Sequence, residues 1–575
     1  MLALMAIGGA ATVASAQQYE QAPPLPVPYA AAGGQYVPPQ AQPFTPNMVP
    51  SANAGPQTND DIRARLEQQD MQIRAMQAQL SGMQQGTAAT PTAYAPSGGP
   101  AAAPAAAAPA GGTAAGLPPG ATVVGNEPVP LSTQWNDGLQ FSSANKEFTL
   151  HLGGRLQFDT GAFSLSQREQ ASLTAANNSN GCPPLGDVAD FRRARIRADG
   201  TIYDNIDFVF EYDFATYLKL PNGSATAAGG GIGSPKVPYT VVDTYATPGP
   251  TDVYTTLKET PLVGNVRVGS MLYPFSFELS TSDRWIDFIE RSSAFDALVP
   301  GASNANYLLG AMIFDWNADK TMTWWNSVSF NNQDPGQDTA DGIARTDAFA
   351  WTGRFTRLLY YDEASNGRYL IHVGLDGQVM SLENDMMTFR TRGATRDGPA
   401  GLGPSYANTG EVYGRDEDEI GAEIVSVWGP LTVEAEWYGV QVTDDNGSGT
   451  ALGDKNVYFN GGYVQALWFL TGENRVYNRT RGCFDRVVPY ENYFNMPGQH
   501  LPCGYGAWQV GARYSYTDLN NQGIQGGYIN ELTLGLNWFL NPNLKYQFNY
   551  DLTERDYRGN DGAINGFGCR MVADF

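Results

Sequence analysis

Residues 532–552 read LTLGLNWFLNPNLKYQFNYDL. Leu532, Leu534, Leu536, Trp538 and Leu540 alternate with Thr533, Gly535 and Asn537. After Asn541-Pro542-Asn543, Leu544, Tyr546, Phe548, Tyr550 and Leu552 alternate with Lys545, Gln547, Asn549 and Asp551. A period of two is a strand signature, and the Asn-Pro-Asn break predicts a tight turn between two antiparallel strands. One face is apolar and aromatic, while the other carries amides and charges. A soluble sandwich would turn the apolar face inward. A transmembrane barrel would turn it to lipid and line an aqueous interior with the polar face.

The same pattern recurs upstream. Phe148, Leu150, Leu152, Leu156 and Phe158 oppose Thr149, His151, Arg155 and Gln157, and Ile206, Phe208, Phe210, Tyr212 and Phe214 oppose Asp207, Glu211 and Asp213. About 16 such segments are predicted between 147 and 575, joined by alternating short and long connections. The long ones are 165–188, 218–239, 274–303, 333–344, 383–414 and 445–454. Segment 473–504 is also long but falls on the short-turn side by parity. Strand length, alternating connections and the final alternating run to Phe575 favour the membrane barrel. The predicted fold is therefore all-β: a 16-stranded antiparallel transmembrane barrel over residues 136–575, enclosing a water-filled channel.

Composition narrows the function. The 575 residues hold 35 Lys+Arg against 58 Asp+Glu, a net charge of −23. That balance argues against a nucleic-acid partner, which needs a basic surface for phosphates. A mean hydropathy of −0.32, with no long apolar run after residue 16, excludes a helical membrane protein. Three His, none at metal-ligand spacing, and four Cys leave no metal, cofactor or catalytic constellation to propose.

Residues 1–16 predict the apolar part of a secretory signal, with Ala14-Ser15-Ala16 in the small-x-small form of a cleavage site. Residues 17–58 and 86–135 are rich in Pro, Ala and Gly and predict disordered linkers. Between them, 59–85 carries Ile62, Leu66, Ile73, Met76, Leu80 and Met83 at spacings of three and four around Gln69. This predicts a short coiled-coil helix that favours self-association, or else a lone solvated helix. Cys483 and Cys503 could close a loop of about 20 residues, worth about 3 kcal/mol in the chain-entropy model; the alternative is two free thiols.

Several long segments are informative together: DFRRARIRADGTIYDNIDFVFEYDF, VRVGSMLYPFSFELSTSDRWIDFIERS, GGYVQALWFLTGENRVYNRTRGCFDRVVP, and GAWQVGARYSYTDLNNQGIQGG with LGLNWFLNPNLKYQFNY. In this order they resemble the phosphate-selective porin O and P family from about residue 146 to 575. The resemblance implies a trimeric 16-stranded outer-membrane porin. It also implies a third external loop folded into the lumen, here 274–303, and arginines lining an anion path. Glu278, Asp283, Arg284, Asp287, Glu290 and Arg291 are then the candidate constriction residues, with Glu290 and Arg291 expected to pin the loop to the wall.

Parity assigns the candidate pore-lining basic residues: Arg155, Arg193, Arg195, Arg197, Arg267, Arg354, Arg513 and Lys545. Arg192 has the opposite parity and is expected near a rim. Arg facing lipid at the bilayer midplane costs roughly 2–4 kcal/mol, so Arg193, Arg195 and Arg197 should face water. A tight turn at Asp204-Asn205 would set Arg197 beside Glu211 and Arg195 beside Asp213. Acidic groups outnumber basic ones in 274–303, whereas an anion filter needs fixed positive charge at close range. The solute is therefore left open between anions such as phosphate, a general pore and a weakly cation-preferring one.

The function expected is passive diffusion of small hydrophilic solutes across a bacterial outer membrane, with the N-terminal segment in the periplasm. The expected partners are outer-membrane lipid, a homotrimer and small inorganic or organic ions. One rival is a structural protein tethering the envelope through 59–85. Another is a barrel enzyme, for which no motif speaks.

Overall fold

The computed structural model describes residues 129–177, 185–215, 249–299, 307–330, 349–382, 386–396, 404–443, 456–494 and 504–575. The expectations for 1–16, 17–58, 59–85 and most of 86–135 lie outside these residues, as does Cys503. Leu131–Trp135, expected as the end of a linker, is instead a strand. It forms a hairpin, β1 (Leu131–Trp135) and β2 (Leu139–Ser143), around Asn136-Asp137-Gly138.

The barrel begins with β3 (Phe148–Leu165), β4 (Val188–Ile202), β5 (Ile206–Asp213), β6 (Gly249–Thr260) and β7 (Gly264–Leu272). It continues with β8 (Tyr307–Trp316), β9 (Met322–Phe330), β10 (Phe349–Tyr361) and β11 (Tyr369–Ser381). A separate hairpin follows, β12 (Met386–Thr391) with β13 (Ala407–Tyr413), then β14 (Asp416–Trp428), β15 (Leu431–Thr443) and β16 (Val457–Phe469). After the short pair β17 (Tyr477–Asn478) and β18 (Cys483–Phe484) come β19 (Ala507–Asn521), β20 (Ile524–Asn541), β21 (Leu544–Tyr557) and β22 (Asn560–Asp574). Helices α1 (Gln167–Asn177), α2 (Phe277–Ser280) and α3 (Ser293–Leu298) lie in connections.

Sixteen strands pair antiparallel with their barrel neighbours, and β22 returns to β3 from Ile564↔Leu165 to Asp574↔Arg155. Closure leaves no edge to aggregate. Where β22 ends, β2 takes over the same side of β3, pairing Leu139↔Leu152 through Ser142↔Thr149. Gly154 and Phe575 exchange backbone hydrogen bonds at the junction. A Cβ on Gly153 would collide with the Phe575 carbonyl, so this close approach requires glycine.

The side-chain pattern is that of a soluble protein turned inside out. On β11, Leu375 is 62% exposed and its neighbour Asp376 only 4%. On β14, Ile420 and Ile424 face outward while Glu417, Glu419 and Glu423 are buried. Exposed aliphatic and aromatic side chains over buried carboxylates and guanidinium groups suit a lipid exterior and not water. The run Asp416–Glu419 opens β14.

Connections 203–205, 261–263, 317–321, 362–368, 429–430 and 542–543 lie at one end, with 470–506 among them. The other end carries the longer connections, together with the tight turns at 522–523 and 558–559. Two apolar clusters join connections to wall strands. One gathers Phe275, Leu279, Phe295 and Leu298 with Phe389, Tyr406, Tyr438 and Phe459. The second gathers Phe277 with Val425, Val427, Tyr477, Cys483 and Phe484.

Candidate functional site

The segment after β7 is tied to strands around the barrel. Glu436 of β15 accepts the backbone N–H groups of Phe277 (2.9 Å) and Glu278 (2.8 Å), which caps the first turn of α2. Ser276 and Tyr438 share a hydroxyl contact of 3.2 Å. From β19, Arg513 donates to the Glu290 carbonyl at 3.0 Å and lies over the Phe288 ring. From β20 and β21, Asn537 and Gln547 donate to the carbonyls of Asp287 and Ile286. The segment 470–506 reaches the same region from the opposite end. Arg475 donates to the Trp285 carbonyl at 2.8 Å, and Phe484 packs edge-on against Phe277. Arg354 of β10 holds the Gly482 carbonyl at 2.8 Å.

Beside this packed half runs a cavity of about 930 Å³ along β3–β10. It extends from Asp137 and Arg486 at the short-turn end to Arg390 and Arg392 at the other. Three carboxylates of the segment meet arginines in it. Asp283 pairs with Arg155, with Arg193 at 2.6 Å and with Arg195 at 4.0 Å. Glu290 pairs with Arg192 and Arg570, each at 2.7 Å, and with Arg396 at 3.8 Å. Asp296 pairs with Arg396 at 2.9 Å and Arg392 at 3.4 Å. On the wall, Glu211 lies 2.7 Å from Arg155 and 3.0 Å from Arg195, and Asp213 lies 2.7 Å from Arg195. The register Arg195↔Asp213 and Arg197↔Glu211 is the one that the tight β4–β5 turn implied.

These pairs set the ionisation of the segment. Burial opposes the charge on Asp283, but Arg155, Arg193 and Arg195 outweigh it and hold the carboxyl well below its ordinary range. Glu290 is likewise buried, yet Arg192, Arg570 and Arg396 hold it well below. Glu278 goes the other way, because burial outweighs Arg513 and Arg291 and raises it. Burial, reinforced by Arg155, pushes Arg284 down to about 10, which leaves it cationic at neutral pH.

The cavity lining holds fourteen arginines and one lysine against nine carboxylates, an excess of six positive charges. The chain as a whole carries −23. Part of the acidic balance lies on the other side of the barrel. Asp376, Glu417, Glu419, Glu423, Glu434, Glu436, Glu531 and Asp551 are buried on β11–β21 and do not line the cavity.

The family model described as phosphate-selective porin O and P matches residues 163–575. The chain belongs to this porin family. It is an outer-membrane channel and not an enzyme. Porin O of Pseudomonas aeruginosa is 24% identical over 458 residues, covering 75% of this chain and 89% of that protein. An uncharacterized protein of Caulobacter vibrioides is 25% identical over 519 residues, covering 88% and 89%. Among solved structures, an anion-selective porin from Comamonas acidovorans aligns at 13% identity and a TM-score of 0.41, covering 74% of this chain and all of that one. The channel DcaP of Acinetobacter baumannii aligns at 12% identity and a TM-score of 0.38, covering 76% and 99%.

In this porin, Arg155, Arg193, Arg195, Arg197, Arg267 and Arg354 line the cavity. Arg513 and Lys545 do not. Both point inward, but residues 286–291 cover them, and Lys545 donates to the Ile286 carbonyl at 2.9 Å. Arg192 is not a rim residue, because a bulge opposite Gln157/Phe158 turns it onto Glu290. Glu290 and Arg291 are not partners of one another. Arg291 donates within the segment, to the carbonyls of Glu278 (2.7 Å) and Thr281 (3.1 Å). Of the candidate loop residues, Arg284 faces Glu211 at 3.8 Å, and Asp287 faces Arg475 at 3.5 Å and Gln509. Cys483 is a buried free thiol.

Parity reasoning missed the arginines on connections, because parity says nothing outside strands. Arg390, Arg392 and Arg396 reach the cavity from the β11–β14 connection, and Arg481 and Arg486 from 470–506. Their clustering in FRTRGATRDG and NRTRGCFDR was the available signal.

Proposed function

We propose that this porin passes small hydrophilic solutes by passive diffusion and prefers anions, phosphate among them. The observation that supports this reading is the inverted charge of the cavity lining within an acidic chain. A low-dielectric wall with a basic excess raises the local anion concentration and lowers the barrier to anion entry. The segment 273–299 acts as the inward-folded constriction. It presses the path against the arginines of β3 and β4 and supplies Asp283, which tempers their charge so that anions can leave again. The helix 59–85 trimerises the chain on the periplasmic side. The test is the reversal potential of full-length protein in a planar bilayer under a salt gradient. Anion selectivity is expected, and it should weaken in Arg193→Glu. A cation-selective or unselective wild type rejects the preference and keeps the channel.

A further inference from the structure

One lining arginine differs from its neighbours. Arg155, Arg193, Arg195, Arg197 and Arg354 each have a carboxylate within 4.0 Å. Among the described residues, Arg267 on β7 has none at that distance. Its Nε–H donates to Thr256 on β6 at 3.0 Å. Its guanidinium plane lies over the Tyr254 ring at 4.1 Å and over the Phe314 ring at 4.9 Å. Phe314 stacks in turn on Trp325, with centroids 4.3 Å apart and planes 9° apart. The Trp325 indole Nε1–H is buried without an acceptor. All of these side chains line the cavity, and Met312 and Trp316 border the same patch.

This is not the wall a plain ion filter needs. Met312 and Phe314 are buried, but Tyr254, Trp316 and Trp325 are only partly buried over them and so forgo roughly 25 cal/mol per Å² of apolar area left in water, while the fixed charge could be supplied without them. Here the stacking orients a guanidinium whose Nη groups are not taken by a carboxylate, next to flat apolar surface. A guanidinium fork matches a carboxylate in two-point geometry, and stacked rings accept another ring.

We infer that the β6–β9 wall is a subsite for aromatic carboxylates, with the carboxylate on Arg267 and the ring against the partly exposed Trp325 and Trp316. This rests on the anion-conducting reading above and names a solute class for the same channel. Such solutes would pause at the subsite and pass on, without energy input.

The test uses full-length protein in planar bilayers, with benzoate and acetate each competing against chloride conductance. Benzoate should reduce chloride current at concentrations at least about tenfold below acetate, the ratio expected of one added ring stack. Trp325→Leu should bring the benzoate-to-acetate ratio down to within about twofold of one. Equal potency of the two anions on wild-type protein overturns the subsite, whatever the variant does. A wild type that conducts no anions overturns the underlying reading instead, so the two failures are separable by reversal potential.

Discussion

Asp283 is the residue on which the constriction turns. It offsets three arginines at once, and its carboxyl stays ionised because those arginines outweigh its burial. Asp283→Asn is expected to raise the anion-to-cation permeability ratio several-fold, read from reversal potentials, because like charges are left unbalanced beside the path. Removing one member of a buried ion group costs about 3–5 kcal/mol, so the same variant should melt at a lower temperature in a heat-dependent gel-mobility assay. The pH response follows from the signs. Asp283 and Glu290 have folded values below the ordinary carboxyl values of about 4. Their stabilisation is complete above that and is lost as pH falls through the depressed values. Glu278 is raised, so it costs stability at high pH and that cost is relieved on acidification. The melting temperature should therefore not fall between pH 7 and 5 and should drop below pH 4. A melting temperature that does not drop below pH 4 would show that these carboxyls are not held by their arginines. The pairing of Arg195 with Asp213 and Arg197 with Glu211 was legible from parity and one turn. The partners of Asp283 were not, since its contacts cross 128 residues of sequence.

At the scale of elements, strands were readable because alternation is forced by the two solvents they separate, and connections were not. The hairpin β1–β2 has a turn signal in Asn136-Asp137-Gly138. Its five-residue strands, however, follow a Pro-rich stretch and carry too short a period to stand out. The connections that fill the barrel are governed by shape rather than period. Gly511 and Gly535 face each other across β19 and β20, and together they leave a recess for Phe288. A Cβ on Gly535 would approach the Phe288 ring to 2.8 Å. Gly535→Val should push residues 286–291 off the wall, expose Arg513 and Lys545, and widen the path. Single-channel conductance is expected to rise by a factor of about 1.5 or more, because the segment's apolar anchor fills much of the packed half. Unchanged conductance with normal folding would mean that Phe288 does not hold the segment.

For the whole molecule, the sequence total of −23 misleads, because the charge is sorted laterally. Eight carboxylates are sealed on β11–β21, while the cavity lining along β3–β10 has a basic excess. Only the closed barrel creates that sorting, since closure decides which inward groups share a compartment. Closure itself depends on one seam. There β3 is shared between β22 and β2, and Gly154 exchanges hydrogen bonds with Phe575 at the join. The position that cannot yield is Gly153, where any side chain meets a backbone carbonyl rather than a flexible group. Gly153→Val should therefore act on the assembly and not on the channel. The fraction of refolded protein with compact, heat-modifiable gel mobility is expected to fall by half or more, while the barrels that do close keep the wild-type reversal potential. A variant that folds fully would show that the seam closes without that approach. A variant that folds but loses selectivity would mean that the seam also shapes the ion path, which β3 lines through Arg155.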